Sequence, residues 1–102
     1  MRIIAPAPLK EFAVKHPQAL PALDNALYKL KQGDWRNINE VKVIFANADE
    51  VVVKSGRKVV VLNASGNNWR VVVAFHYNIQ KVFVLKVMSH AEYSRENWKE
   101  TL

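Results

Sequence analysis

A chain of 102 residues, half of them hydrophobic and a quarter charged, is most simply one domain spanning residues 1–102 with a real core, and this balance argues against disorder. The lack of cysteine excludes a disulfide framework and any thiolate metal site. The formal charge of +6 is uneven: residues 1–51 hold seven basic and six acidic groups (+1), and residues 52–102 hold eight and three (+5), which points to a polyanion partner or to a lysine-rich solvated surface.

Arg2 to Ala5 reads as a short edge strand, after which Pro6 and Pro8 set a turn and the start of a helix running to about Lys15. His16-Pro17 stops it. Leu20, Leu23, Leu27 and Leu30 recur at helical spacing, with Lys29 and Lys31 in the last turn before Gly33, so a second helix completes a helical hairpin. Asn37 and Glu40 have capping-box spacing and predict a short helical turn leading into "VKVIFANADE".

From Glu50 the pattern becomes β-branched: "VVV", "KVVVLN", "WRVVVAFH" and "KVFVLKVM" are separated by "SGR", "ASGNN" and a stretch around "YNIQ", the signature of an antiparallel meander. Ser89 with Glu92 is a second capping box, predicting a terminal helix over His90 to Trp98. Every apolar run breaks before the roughly 18 residues a membrane span requires, and "MRIIAPAPLK" is too short for a signal sequence, so a cytoplasmic protein without membrane contact is expected.

Taking "SGR" and "ASGNN" as odd-length loops pairs Lys54 with Lys58 and Leu62 with Arg70; an odd last loop sets Arg70 opposite Lys86 or one pair away. Odd positions (Val59, Val61, Val71, Val73, Phe75, Phe83, Leu85, Val87) then form the core face under the helices. Even positions mix Val60, Leu62, Val72, Ala74, Val82 and Val84 with Lys54, Lys58, Arg70 and Lys86, and include no acid. Such a row of cations needs an anion or open water. The face would present a track, with Lys54, Arg57 and Lys58 guiding an RNA backbone toward Arg70 and Lys86.

His90 in the first turn of a helix lies near the positive end of its dipole, which favours a neutral imidazole able to exchange a proton; the plainer reading is a surface histidine at a cap. Tyr93 follows one turn later and serves either the site or the packing of the helix. Trp69 and Trp98 can stack on bases or fill core. His16, His76 and His90 lack metal-ligand spacing, so neither a metal nor another cofactor is expected. Metal-free chemistry suits RNA, which carries its own nucleophile in the 2′-OH. Cleavage needs a base for that hydroxyl, cations for the charge on phosphate and an acid for the 5′-oxygen. Arg70, Lys86, His90 and Tyr93 supply such groups at one end of one face.

Trp35, "VKVIFANADEV", Val61-Leu62-Asn63, Gly66-Asn67, Trp69-Arg70-Val71 and "KVMSHAEYSRENW" together resemble the HigB-type toxins of bacterial toxin–antitoxin operons, a branch of the RelE-like mRNA interferases. In that family the last block usually reads as a basic strand residue and then Thr-His-x-Glu-Tyr-Asp. Lys86, His90, Glu92 and Tyr93 match by position, whereas Ser89 and Ser94 replace the usual Thr and Asp. Ser89 can cap as Thr does; Ser94 cannot supply an acidic side chain.

The resemblance implies an α+β, RelE-like fold: two N-terminal helices on a curved, mainly antiparallel sheet, with a short C-terminal helix. It also implies cleavage of mRNA, often on the ribosome, and neutralisation by a HigA-type antitoxin with a helix-turn-helix. The expected site is Arg70, Lys86, His90 and Tyr93 for catalysis, with Lys54, Arg57, Lys58, Asn67 and Trp69 on the RNA; Glu92 is assigned to the cap. The competing readings are a basic RNA-binding module without chemistry and an interaction protein whose basic face docks an acidic partner.

Overall fold

The computed structural model describes residues 1–64 and 68–102, and expectations resting on residues 65–67, Asn67 among them, lie outside the described residues. Strand β1 (Arg2–Ile4) is followed by helices α1 (Ala7–Lys15), α2 (Leu20–Gln32) and α3 (Ile38–Ile44). Strands β2 (Asp49–Val52), β3 (Lys58–Ala64), β4 (Trp69–His76) and β5 (Lys81–Ser89) come next, and α4 (His90–Arg95) and α5 (Trp98–Thr101) close the chain. The sheet order is β1-β5-β4-β3-β2, a meander with β1 added parallel to β5 at one edge. This is the expected α+β arrangement.

Local chemistry explains the element ends. Pro8 sits in the first turn of α1, where its missing N–H is not needed. The Asn37 side chain accepts from the Glu40 N–H at 3.1 Å and starts α3, which runs two turns and absorbs Val41 to Ile44. Gly33 ends α2 in an extended conformation, not the left-handed one usual after a helix. The indole of Trp35 lies so close to it that a Cβ at this position would fall within the ring, so close approach explains the glycine.

The pairing corrects the strand faces. Val52 pairs with Lys58, and the Val53 N–H donates to the Arg57 carbonyl, so the turn lies over residues 54–56, one residue earlier than "SGR", and Lys54 does not pair with Lys58. Gly56, at φ +90°, makes its turn. Ala64 pairs with Trp69, which leaves an even number of residues between β3 and β4 and sets Leu62 opposite Val71 and Asn63 opposite Arg70, not Leu62 opposite Arg70. One residue of slip exchanges the faces of a strand. Val60 and Leu62 therefore join Val71, Val73, Val82, Val84 and Val87 under α1 and α2, while Val59 and Val61 face the other way.

That other face is not open water. Val59, Val61, Val72 and Met88 form a second core with Val53, closed by the buried indole of Trp98. The expected continuous helix from His90 to Trp98 is broken to allow this: Glu96 adopts φ +62° and α5 turns back onto the sheet. A straight helix would carry Trp98 away from the valines. The uninterrupted row of cations expected on this face is thus replaced by an apolar layer with cations at its ends.

Trp98→Ala removes the cover of the second core and is expected to cost about 3–5 kcal/mol, measured by denaturant unfolding. Tyr77 offers a second test. Its hydroxyl is buried without a hydrogen-bond partner among the described residues, and burial, then the nearby Glu50 charge, pushes its pKa up to about 12. Because the folded value exceeds the ordinary 10.0, stability is held below pH 10 and falls as pH rises toward 12. Tyr77→Phe is expected to add about 1 kcal/mol at neutral pH and to flatten the alkaline fall in Tm.

Candidate active site

Arg70 opens the site. It begins the second residue of β4, on the face carrying Val72 and Met88, and it is only 6% exposed. A buried guanidinium is tolerated only with polar or π partners around it. Its Nη2 lies 3.3 Å from His90 Nδ1, its Nη1 donates to the Trp69 carbonyl at 3.4 Å, and its Cζ stands 5.0 Å from the centre of the Tyr93 ring. Arg70, His90 and Tyr93 are thus brought into direct contact.

The partners are held from behind. Ser89 Oγ accepts from the Glu92 N–H at 3.3 Å, and Glu92 Oε1 accepts from the Ser89 N–H at 3.4 Å, so the capping box forms and Glu92 serves the helix start. The His90 N–H donates to the Asn68 carbonyl at 3.2 Å, tying α4 to the entry of β4. Tyr93 stacks on Trp98 at 5.8 Å and 21°, and Trp98 Nε1 donates to the Tyr93 carbonyl at 3.2 Å. The Tyr93 ring therefore contacts both a guanidinium and an indole. Trp98, a candidate core or base-stacking residue by sequence, is core here, and its hold on Tyr93 has no signal in the sequence beyond the five-residue spacing.

A guanidinium only donates, so a hydrogen bond to His90 Nδ1 requires that nitrogen to be unprotonated and puts the ring proton on Nε2.

Lys86 reaches the same face by an unexpected route. His76 pairs with Lys81, an even connection that by itself would turn Lys86 toward the helices. The register then shifts: Val72 pairs with Lys86 but Val73 pairs with Val84, so Leu85 is an extra residue, a bulge. One inserted residue reverses the side on which the following side chains point. Lys86 therefore stands two residue pairs along the ladder from Arg70, on its own face, and Val82 and Val84 move to the helix side. Lys86 lines two clefts, one beside α4 and α5 and one beside α1.

The remaining expected RNA contacts are dispersed. Trp69, next to Arg70, points to the opposite face, where it meets Phe12 edge-on at 5.5 Å and lies 5.8 Å from His16. Lys54, Arg57 and Lys58 are exposed at the β2–β3 hairpin, but the Trp98-covered Val59 and Val61 separate them from Asn63 and Arg70. Lys54 also binds Glu100 at 3.0 Å, and its N–H donates to the Lys99 carbonyl. Among the described residues, no three His, Asp or Glu side chains converge as a metal site would require.

Similarity to known proteins bears on this geometry. The chain is 34% identical over 95 residues to the mRNA interferase HigB of Escherichia coli O6:H1 strain CFT073, covering 93% of this chain and 90% of that protein. It is 34% identical over 96 residues to the mRNA interferase toxin HigB of Escherichia coli K12, covering 91% and 88%, with the same figures for the mRNA interferase HigB of Shigella flexneri. Residues 19–96, which contain both β4 and the whole Arg70, Lys86, His90 and Tyr93 cluster, match the HigB toxin family, described as the RelE-like toxic component of a toxin-antitoxin system. With a family match and relatives that both extend across most of the sequence, the chain belongs to the HigB family of RelE-like toxins.

Proposed function

We propose that this chain is an endoribonuclease toxin that cleaves mRNA on translating ribosomes without a metal, and that a HigA-type antitoxin neutralises it in the cytoplasm. The observation that carries the reading is the contact of a buried guanidinium with both an imidazole and a phenol, two residue pairs along the ladder from a lysine on the same face. The names of the relatives, mRNA interferases, support RNA as the substrate.

In the proposed reaction the ribose 2′-oxygen attacks the adjacent phosphorus, the P–O5′ bond breaks, and the products are a 2′,3′-cyclic phosphate and a 5′-hydroxyl. Arg70 and Lys86 face the charge that builds on the phosphoryl oxygens. A phosphate drawing on the Arg70 guanidinium competes with His90 for its N–H, and release frees Nδ1 to accept the 2′-OH proton. The Tyr93 hydroxyl gives its proton to the departing 5′-oxygen. Two cations around one proton-transfer pair supply these roles without a bound ion.

Tyr93→Phe keeps the ring against Arg70 and Trp98 and removes only the hydroxyl, so Tm is expected to stay within a few degrees while single-turnover cleavage of ribosome-bound mRNA falls roughly 100-fold. Arg70→Lys keeps charge but loses the planar fork that serves His90 and Tyr93 together; a loss of about 100-fold or more is expected. Folded variants that cleave like the parent would place the chemistry elsewhere. A parent that binds RNA and produces no new ends would favour the non-catalytic RNA-binding module.

A further inference from the structure

A cleft of about 200 Å³ opens beside the site, lined by Lys86, Glu92, Arg95, Asn97, Trp98 and Thr101. Two of these residues already belong to the site: Lys86 shares the Arg70 face, and Trp98 backs Tyr93. The cleft therefore adjoins the reacting position, on the same side of the sheet. Its volume matches several water molecules, enough for a phosphodiester group.

Its charge is directional. Lys86 from β5 and Arg95 from the last turn of α4 bring two cations, and neither has a salt-bridge partner among the described residues. Glu92 is the one acid in the lining, and its carboxylate is engaged by the Ser89 N–H and hydroxyl at the helix start. The neighbouring acids are occupied too: Glu96 binds Lys99 at 3.0 Å and Glu100 binds Lys54 at 3.0 Å. Asn97 adds a neutral amide donor. The cleft is thus a concave surface with a net positive charge, floored by an indole fixed in the second core.

Resting on the endoribonuclease reading above, we infer that this cleft holds the RNA phosphodiester next to the scissile one, with Arg95 as its main contact, and that the backbone path leaves the site between α4 and α5. The hairpin cations Lys54, Arg57 and Lys58 are a poorer continuation, because the apolar layer under Trp98 separates them from Arg70. Arg95 lies outside the proton-transfer contacts of Arg70, His90 and Tyr93, so it acts on binding and leaves the chemical step alone.

The test is single-turnover cleavage by full-length protein on the mRNA substrate that the parent cleaves, free or ribosome-bound, across a series of salt concentrations. Arg95→Gln is expected to raise the half-saturating concentration about 10-fold, to leave the maximal rate within about twofold and to lower the log–log salt slope by about 0.7, the loss of one single-strand phosphate contact. Arg95→Lys should recover most of the affinity, and Lys31→Gln, an equal charge change on α2, should alter neither. An unchanged half-saturating concentration in Arg95→Gln would overturn the inference and assign the cleft to solvent or to an acidic protein. A fall in maximal rate alone would overturn it too, by placing Arg95 in the chemistry. A parent that cleaves neither substrate would instead overturn the endoribonuclease reading itself, an outcome distinct from a cleaving parent indifferent to Arg95.

Discussion

The indole of Trp98 on Val59, Val61, Val72 and Met88 is the contact on which the site depends. A four-stranded run this rich in valine is apolar on both faces, and α1 and α2 cover only one. The second must be closed by the chain's own end, which is why the C-terminal helix reverses at Glu96. Closing that face fixes Tyr93, since the same indole stacks on its ring and donates to its carbonyl. Tyr93 in turn roofs Arg70, allowing a guanidinium to lie at the edge of an apolar layer. Stability and site geometry therefore share one aromatic contact.

The bulge at Leu85 solves a second problem. The connection between β4 and β5 suits the helix-side packing of Val82 and Val84, but carried through without a break it would bury the Lys86 ammonium against the α1–α2 layer. A buried unpaired ammonium costs several kcal/mol or loses its charge. One inserted residue lets the first half of β5 pack on one side and delivers Lys86 to the other, beside Arg70. Bulges next to functional groups commonly serve this re-aiming purpose.

The contact of Arg70 with His90 orients the imidazole. While Nδ1 accepts from the guanidinium, the imidazole is directed but not free to take a proton there. In the proposed reaction an anionic substrate draws on the same guanidinium, so phosphate binding and base release become one event.

The sequence by itself determined the elements and the cluster at the end of β5. Leucines at helical spacing, β-branched runs between glycine and asparagine turns, and the Ser89 and Asn37 caps are local signals, set by chain geometry within a few residues; α2, the four meander strands and the start of α4 follow them. The cost of burying an unpaired cation also places Arg70 and Lys86 on one face, although β3 and β5 adopt registers other than those that odd loops predict. Only the tertiary structure decided the registers, the Leu85 bulge, the reversal at Glu96 and the separation of Lys54, Arg57 and Lys58 from Arg70. Valine runs of this kind look alike in either register, because both alternations are apolar. The choice between them rests on where one distant indole and one ammonium can be accommodated, and pairing across the sheet, not spacing along the chain, sets that.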